Sequence, residues 1–383
     1  MKVIEITNVD FSLRHFLVPL MRAIRAAGHE AVGGCAEGPL LDDVRSEGFR
    51  VIAVPFVRRV SPLAHIRAFR SLVEILRAEK PDIVHAHMPI SGFLTRLAAW
   101  RAGVPVIAYT CHGFLFNHRD TSLPRRVLSF LMEWLAARVT DIFLTVSEAE
   151  AEDARRLGIS RRAVAVRNGR NPALFRPNPA ARTRIRAALG VPEDRVVVIA
   201  VSRLVWHKGY PELAQAMASV PDAELWVVGE RLASDRGADM VGVLQAAGLG
   251  ERLRLLGYRE DIPDLMAAAD IFTLPSRFEG LPMSVIEAML TGLPVVATDV
   301  RGPDEQVEHE VTGLKVRPGE AVALGAALKR LAVDPDLRRR LGDAGRMRAL
   351  QCYDEAKVLA RTLDLLGLSV YPAGLTKVQD KPS

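Results

Sequence analysis

The chain has 383 residues and a net charge of +6, with 49% hydrophobic and 25% charged residues. That is more chain than one hydrophobic core usually serves, in an ordinary globular balance, so two domains are the default expectation. Three cysteines far apart (Cys35, Cys111, Cys352) argue against a disulfide framework or a zinc site and for a reducing compartment. No apolar run approaches the ~18–20 residues that span a bilayer, and MKVIEIT reads as a first strand with no signal-peptide core behind it. The basic excess is uneven: residues 1–180 carry 25 Lys/Arg against 17 Asp/Glu, and residues 181–383 carry 26 against 28. A basic first half suits an anionic surface, nucleic acid or lipid headgroups, as well as plain solubility.

In chain order, MKVIEIT alternates as a strand. LRHFLVPLMRAIRAAGH follows as a helix, with Phe16, Leu17, Leu20, Met21 and Ile24 on one face and Gly28 at its end. EAVGGCA and FRVIAVPF are short strands. SPLAHIRAFRSLVEILRAEKP is a helix with Ser61 as N-cap, Pro62 in its first turn and Pro81 beyond its end. DIVHAH, VPVIAYTCH, DIFLTVS and AVAVRNG are further short apolar runs. Strands alternating with helices predict a parallel sheet covered on both faces.

NPALFRPNPAAR (171–182) breaks this rhythm with three prolines and two asparagines. The rhythm then restarts: RVVVIAVSRL, ELWVVGE, RLRLLGY, IFTLPS and LPVVATDV as strands, with ELAQAMASV, VLQAAGLG, IPDLMAAAD and MSVIEAMLTG as helices. A last helical stretch runs from DLRRRLGD to LLGL, and SVYPAGLTKVQDKPS reads as a loose tail. The expected organisation is an α/β domain over 1–172, a second over 173–350, a C-terminal helix over 351–370 packing back on the first, and a tail over 371–383. Two doubly wound sheets facing across a cleft bind ligands outside their strand ends.

Candidate residues follow strands. In SRFEGLPMSVIEAMLTG, Glu279 stands just before a helix N-terminus, where free backbone N–H groups make an anion or hydroxyl site and Gly280 admits a ligand. Glu287 falls in the first two turns and leans back toward the mouth. Two carboxylates there suit paired sugar hydroxyls; alone, they read equally as a cap and a solvated charge. In VSRLVWHKGYPEL, Arg203 and Lys208 follow a strand and Gly209 opens the next helix, which suits a diphosphate without a metal. His112 follows the strand in YTCHGF. His85 and His87 alternate in VHAHMP and are expected on opposite faces with no third ligand by spacing, so no metal site is expected.

These motifs together resemble the retaining, nucleotide-sugar-dependent glycosyltransferases of family 4, which have the GT-B fold of two Rossmann-like domains. The resemblance rests on Glu279 and Glu287 as E-x7-E, FEGLP, SRLVWHKG, LLGY, GLPVVAT and RGPDEQVEHEVTGLKV, and in the first half on DIVHAHMP, YTCHGF and VRNGRNPALFRP. It spans residues 1 to about 365. It implies that the second domain binds the donor. Glu287 would hold the ribose; Glu279, Gly280 and Leu281 the transferred sugar; Arg203 and Lys208 the diphosphate; Gly257 and Tyr258 the base. It sets His112 near the reacting centre and makes the first domain acceptor-binding. It also implies same-face displacement with no protein nucleophile, no metal and no cofactor, the nucleotide sugar being a substrate. UDP is the expected nucleotide, with GDP open.

Two departures lie on the acceptor half. The first loop, TNVDFSLRHF, lacks the family's glycine pair, so Asn8, Asp10, Ser12 and Arg14 are expected to shape the acceptor pocket, with His87 beside them. The acidic residue usual after NG is absent, and no role carries over to Arg170. A lipid-linked or oligosaccharide acceptor in surface-polysaccharide assembly would place the enzyme in the cytoplasm with a peripheral contact to an anionic membrane. RRVSPLAHIRAFRSLVEILRAEK, with Arg58, Arg59, Arg67, Arg70, Arg77 and Lys80 around an apolar face, is the segment read for that contact. Rival readings are a nucleotide-sugar epimerase, which would convert the donor without an acceptor, and a non-catalytic sugar-nucleotide or glycan-binding module. No recognition motif supports nucleic acid, and no G-x-G-x-x-G turn supports a dinucleotide oxidoreductase.

Overall fold

The computed structural model describes residues 1–57, 61–118, 121–231, 235 and 237–369. Within them the strands form two sheets in which every pairing is parallel. The first comprises β1 (Lys2–Ile6), β2 (Glu30–Cys35), β3 (Arg50–Ala53), β4 (Ile83–His87), β5 (Val106–Cys111), β6 (Ile142–Thr145) and β7 (Val164–Ala165), in the order β3-β2-β1-β4-β5-β6-β7. The second comprises β8 (Val196–Val201), β9 (Ala223–Val228), β10 (Leu253–Gly257), β11 (Ile271–Leu274), β12 (Val295–Thr298) and β13 (Gly313–Val316), in the order β10-β9-β8-β11-β12-β13. Each order reverses beside its first strand, which opens a crevice at the strands' carboxyl ends.

Both faces of each sheet are covered, which is why these strands read as apolar runs. In β1, Val3 packs with Met21, Ile24 and Leu41 on one face, while Ile4 and Ile6 pack with Leu72, Leu76 and Leu94 on the other. The period of two leaves Glu5 on the face of Val3. In β8, Val197 and Ile199 join a core with Val285, Ile286 and Met289, whereas Val198 and Ala200 join Leu213, Met217 and Leu324.

Several elements differ from the sequence pattern. The glycine-free first loop winds straight into helix: Asp10–Ser12 is α, Leu13–Leu17 is π, and Val18–Ala26 is α again. The helices Pro89–Ala102 and Leu123–Ala136 have no counterpart in the sequence reading: the first carries no single apolar stripe, and the second carries its stripe on the outward face. The Pro62–Glu79 helix does carry one, but Ala68, Leu72, Val73 and Leu76 bury it against the sheet, so the apolar face read for a membrane is internal. Ser61 takes the N-cap position without a side-chain cap bond, and Arg58 and Arg59 lie outside the described residues, as does the tail from residue 370.

The final helical stretch is two helices. Pro335–Cys352 packs on Met283–Thr291 of the second domain. Asp354 then caps Glu355–Leu365 by accepting from Ala356 N at 2.9 Å, and Leu359, Leu363, Leu366 and Leu368 join the core of the first domain. The chain thus crosses between domains twice, and the crossings bond each other: Arg170 N donates to Tyr353 O at 3.0 Å, and Glu355 N to Arg170 O at 3.1 Å.

Gly209 shows how tightly the cleft floor is built. It has φ +77°, and a Cβ there would lie 2.0 Å from Pro275 O, between the loops after β8 and β11. Gly190 has φ +65° but opens on space. Gly190→Ala should therefore cost about 1 kcal/mol, the left-handed penalty alone, and Gly209→Ala about 3 kcal/mol or more. Thermal melting checks this: Gly209→Ala is expected to melt several degrees below Gly190→Ala, and equal melting would contradict the packing.

Candidate active site

The second-domain candidates gather because β8 and β11 are neighbours. Lys208 sits in a short 3-10 turn, Trp206–Lys208, after β8, and Glu279 sits after β11. Lys208 Nζ donates to Glu279 Oε1 at 2.5 Å, and Ser276 Oγ donates to the same oxygen at 2.7 Å. The carboxylate is nearly buried, and its Oε2 has no protein partner among the described residues. Lys208 keeps two further N–H donors. Arg203 is more open and donates to Asp235 Oδ1 at 2.6 Å.

Glu287 lies on the inward side of the Met283–Thr291 helix, 6% exposed. Its Oε1 accepts from Arg170 Nε at 2.6 Å, so the residue to which no role was carried over reaches from the crossing segment to hold the second carboxylate. Its Oε2, too, has no protein partner among the described residues. Leu281 is buried, its carbonyl accepting from Asn168 Nδ2 at 2.7 Å across the cleft. Gly257 and Tyr258 end β10: Gly257 O accepts from Gly229 N, Tyr258 N donates to Glu230 Oε1, and the Tyr258 ring is half-exposed.

The two halves touch at Gly280. A Cβ there would lie 2.4 Å from His112 O, so only glycine lets the loop after β11 meet the end of β5. Further contacts cross beside it: the His118 and Phe278 rings lie 4.6 Å apart, Glu148 N donates to Glu305 Oε2 at 2.7 Å, and Arg301 pairs with Asp153.

The first-domain histidines correct one expectation. Residues i and i+2 of a strand share a face, so His85 and His87 stand together with ring centroids 4.1 Å apart. The third group comes from the adjacent strand: Glu5, paired with His85 in register, is fully buried between them. His85 Nδ1 lies 3.1 Å from Glu5 Oε1, His87 Nε2 2.8 Å from Glu5 Oε2, and His87 Nδ1 3.0 Å from His112 Nε2. The Glu5, His85 and His87 ligand atoms lie within 4.8 Å of one another, a spacing a metal could use, although sequence spacing discounted it. Direct hydrogen bonds already account for the arrangement.

Charge sets the protons. Burial raises the Glu5 carboxyl, but His85 and His87 outweigh it and hold it at about 2, so it is ionised and only accepts. Both neighbouring rings must donate to it. His87 Nδ1 is then bare and accepts from His112 Nε2–H. That leaves His112 Nδ1, without a protein partner among the described residues, as an acceptor. Burial, with the neighbouring histidines, pushes His87 down to about 4 and His112 to about 3, so both rings stay neutral.

A pocket beside this chain is lined by His15, Phe16, His87, Thr110, His112, Arg170 and Met283. Its first-loop wall is not the one expected. Asp10 bonds Phe11 N and Leu40 N, Ser12 is buried, Arg14 turns to Asp43, and half-exposed Asn8 accepts from Ala36 N through its carbonyl. The π-helical turn presents His15 and Phe16 instead, and His15 Nε2 is buried without a partner among the described residues. Glu5 and His15 were missed. A charge inside the apolar run VIEI was the one signal available for Glu5.

The pH dependence has a definite sign. His87 and His112 bind protons in the unfolded chain near 6.5 but not in the folded one, so they lower stability as pH falls from about 6.5 toward 4. Glu150, raised by burial to about 8, acts oppositely: its contribution is present below its unfolded value and lost as pH rises through 8. His112→Phe should melt with a shallower acid limb than the wild type between pH 6.5 and 4. Equal slopes would contradict the neutral assignment.

Comparison with known proteins identifies the family and the fold. Residues 181–348 match the model of glycosyl transferases group 1, and residues 14–169 match that of the glycosyl transferase 4-like domain. The chain is 30% identical over 313 residues to the UDP-Gal:alpha-D-GlcNAc-diphosphoundecaprenol alpha-1,3-galactosyltransferase of Escherichia coli, covering 78% of this chain and 79% of that one. It is 26% identical over 375 residues to the N,N'-diacetylbacillosaminyl-diphospho-undecaprenol alpha-1,3-N-acetylgalactosaminyltransferase of Campylobacter jejuni, covering 95% and 98%. In fold it is similar to Anabaena Alr3699/HepE, solved with UDP and glucose, at TM-score 0.82 and 22% identity over 96% of this chain and 99% of that one. The chain belongs to the glycosyl transferases group 1, with a glycosyl transferase 4-like first domain and the GT-B fold, and is a glycosyltransferase.

Proposed function

We propose that this glycosyltransferase moves a sugar, with retention and without a metal ion, from a UDP-sugar to a lipid-diphosphate-linked acceptor in surface-polysaccharide assembly. The observation that carries it is the Lys208–Glu279 pair at the adjoining ends of β8 and β11: a cation with two spare donors beside a carboxylate with one spare oxygen. A diphosphate and the sugar it carries need those two groups at that separation. The names of the Escherichia coli and Campylobacter jejuni relatives support the acceptor class, and the UDP complex of HepE supports the nucleotide.

In this reading Lys208 and Arg203 neutralise the diphosphate as it leaves, Arg203 exchanging Asp235 for phosphate. Glu279 Oε2 and the backbone at Gly280 and Leu281 hold the transferred sugar, Glu287 Oε2 accepts from the ribose, and Gly257 and Tyr258 border the base. His112 Nδ1 accepts from a sugar hydroxyl. The acceptor oxygen bonds the anomeric carbon on the face from which phosphate departs, and a phosphate oxygen takes the hydroxyl proton. The protein supplies position and charge stabilisation, with no covalent step of its own. His15 and Phe16 replace Asp10, Ser12 and Arg14 on the acceptor side, with His87 acting through His112. The chain acts at the cytoplasmic membrane face; no helix among the described residues is long and apolar enough to cross a membrane.

Turnover of UDP-sugars with a lipid-diphosphate acceptor, in chelator, tests this. Lys208→Ala should lose about 10²- to 10³-fold in kcat in protein shown to be folded at the assay temperature, although it melts below the wild type because Glu279 is left without its cation. The product linkage, read by proton NMR coupling, should keep the donor's anomeric configuration. Wild-type turnover in the variant, an inverted product or strict metal dependence would contradict the reading.

A further inference from the structure

The Leu123–Ala136 helix is built inside out. Its carboxylate, Glu133, points inward, where Oε2 accepts from the buried Arg96 guanidinium at 2.7 Å and Oε1 from Tyr109 OH at 2.8 Å. Its large apolar side chains point outward: Leu123, Val127, Leu128, Leu131, Trp134 and Leu135 are between 39% and 69% exposed. At 100° per residue these six fall on one continuous face. Scattered exposed apolar side chains are ordinary, but six on one helix, opposite a buried ion pair, are not.

We propose that this face is a membrane-docking surface that lies in the interface of an anionic bilayer. Charge chooses this occupant over a protein groove. Exposed Arg125 stands at one end and Arg138 at the other, while the helix's one acidic residue is turned inward. Arg138 covers the Trp134 ring with its Cζ 4.3 Å from the centroid. An indole beside a guanidinium, flanked by leucines, suits the headgroup level, where the ring sinks and the cation stays with phosphate. Position agrees. The helix follows the turn Leu115–Asn117 at the carboxyl end of β5, with Phe116 packed on Phe130, so its apolar face begins beside the acceptor side of the cleft. Leu115 adds another exposed apolar side chain there. The Pro62–Glu79 helix buries Leu72, Val73 and Leu76 in the core and exposes Leu63 and Ile66 beside its cations, a smaller apolar face than the six residues here. The inference deepens the proposed function and rests on it for its purpose: a lipid-held acceptor requires the cleft at the bilayer surface.

The test is flotation of the full chain with vesicles of phosphatidylethanolamine and phosphatidylglycerol, or of phosphatidylcholine alone, for the wild type and the Leu128→Glu/Leu131→Glu double variant. Both positions are exposed, so the variant should melt and titrate UDP like the wild type. The wild type is expected to float with the anionic vesicles, and the variant to lose about tenfold or more in the bound fraction. A blue-shifted emission absent in Trp134→Phe would place that ring in the bilayer. No flotation with either vesicle while UDP still binds would overturn the docking surface and leave the transferase reading standing. Flotation without transfer to a lipid-diphosphate acceptor would support the surface and sink the acceptor assignment. A wild-type dimer by light scattering that the double variant dissolves would give the face to a second copy and overturn the proposal.

Discussion

The cleft depends on carboxylates held by one oxygen and free at the other. Glu279 is fixed through Oε1 by Lys208 and Ser276, and Glu287 through Oε1 by Arg170. Burying a carboxylate without a partner is costly, and one whose acceptor sites were all filled would have nothing to offer a hydroxyl. Each anchor thus pairs the buried group through one oxygen and leaves the other for a ligand. The anchors come from different places. Lys208 arrives because β8 and β11 are adjacent, Arg170 because the chain crosses between domains at that point and is pinned there by Tyr353 and Glu355.

The same economy runs through the first domain. Glu5 is ionised and saturated by two rings, and its charge reaches the cleft only as the orientation of a proton on His112. A single buried carboxylate thereby sets which nitrogen faces the site, without adding its own charge to a cleft that already holds Glu279 and Glu287. The two domains meet at this point, where Gly280 touches the end of β5.

The two-sheet architecture was legible because buried parallel strands read as short β-branched runs between helices, and each sheet repeats that rhythm. The second-domain residues were legible because helix N-termini carry local signals, glycine and proline at fixed offsets. The Glu5–His85–His87 cluster was not: its members lie 80 and 82 positions apart in sequence and meet only through strand pairing. The wrong faces expected for His85 and His87 came from misapplying the strand period, under which alternate residues share a side. Arg170 depended on a crossing geometry that no local pattern encodes. The Leu123–Ala136 helix was passed over although it carries a clear apolar stripe; its polar residue is inside and its stripe outside, so the usual rule would have named the wrong core face.

The central claim is that this cleft holds a nucleotide diphosphate with its ribose on Glu287. Calorimetric titration of UDP, GDP and ADP into the wild type and Glu287→Ala, with chelator present, tests it most directly. The account predicts that UDP binds the wild type in preference to the other two and binds Glu287→Ala at least about tenfold more weakly, the loss of one charge-assisted hydrogen bond. No nucleotide bound by the folded wild type, or equal affinity in the variant, would contradict it.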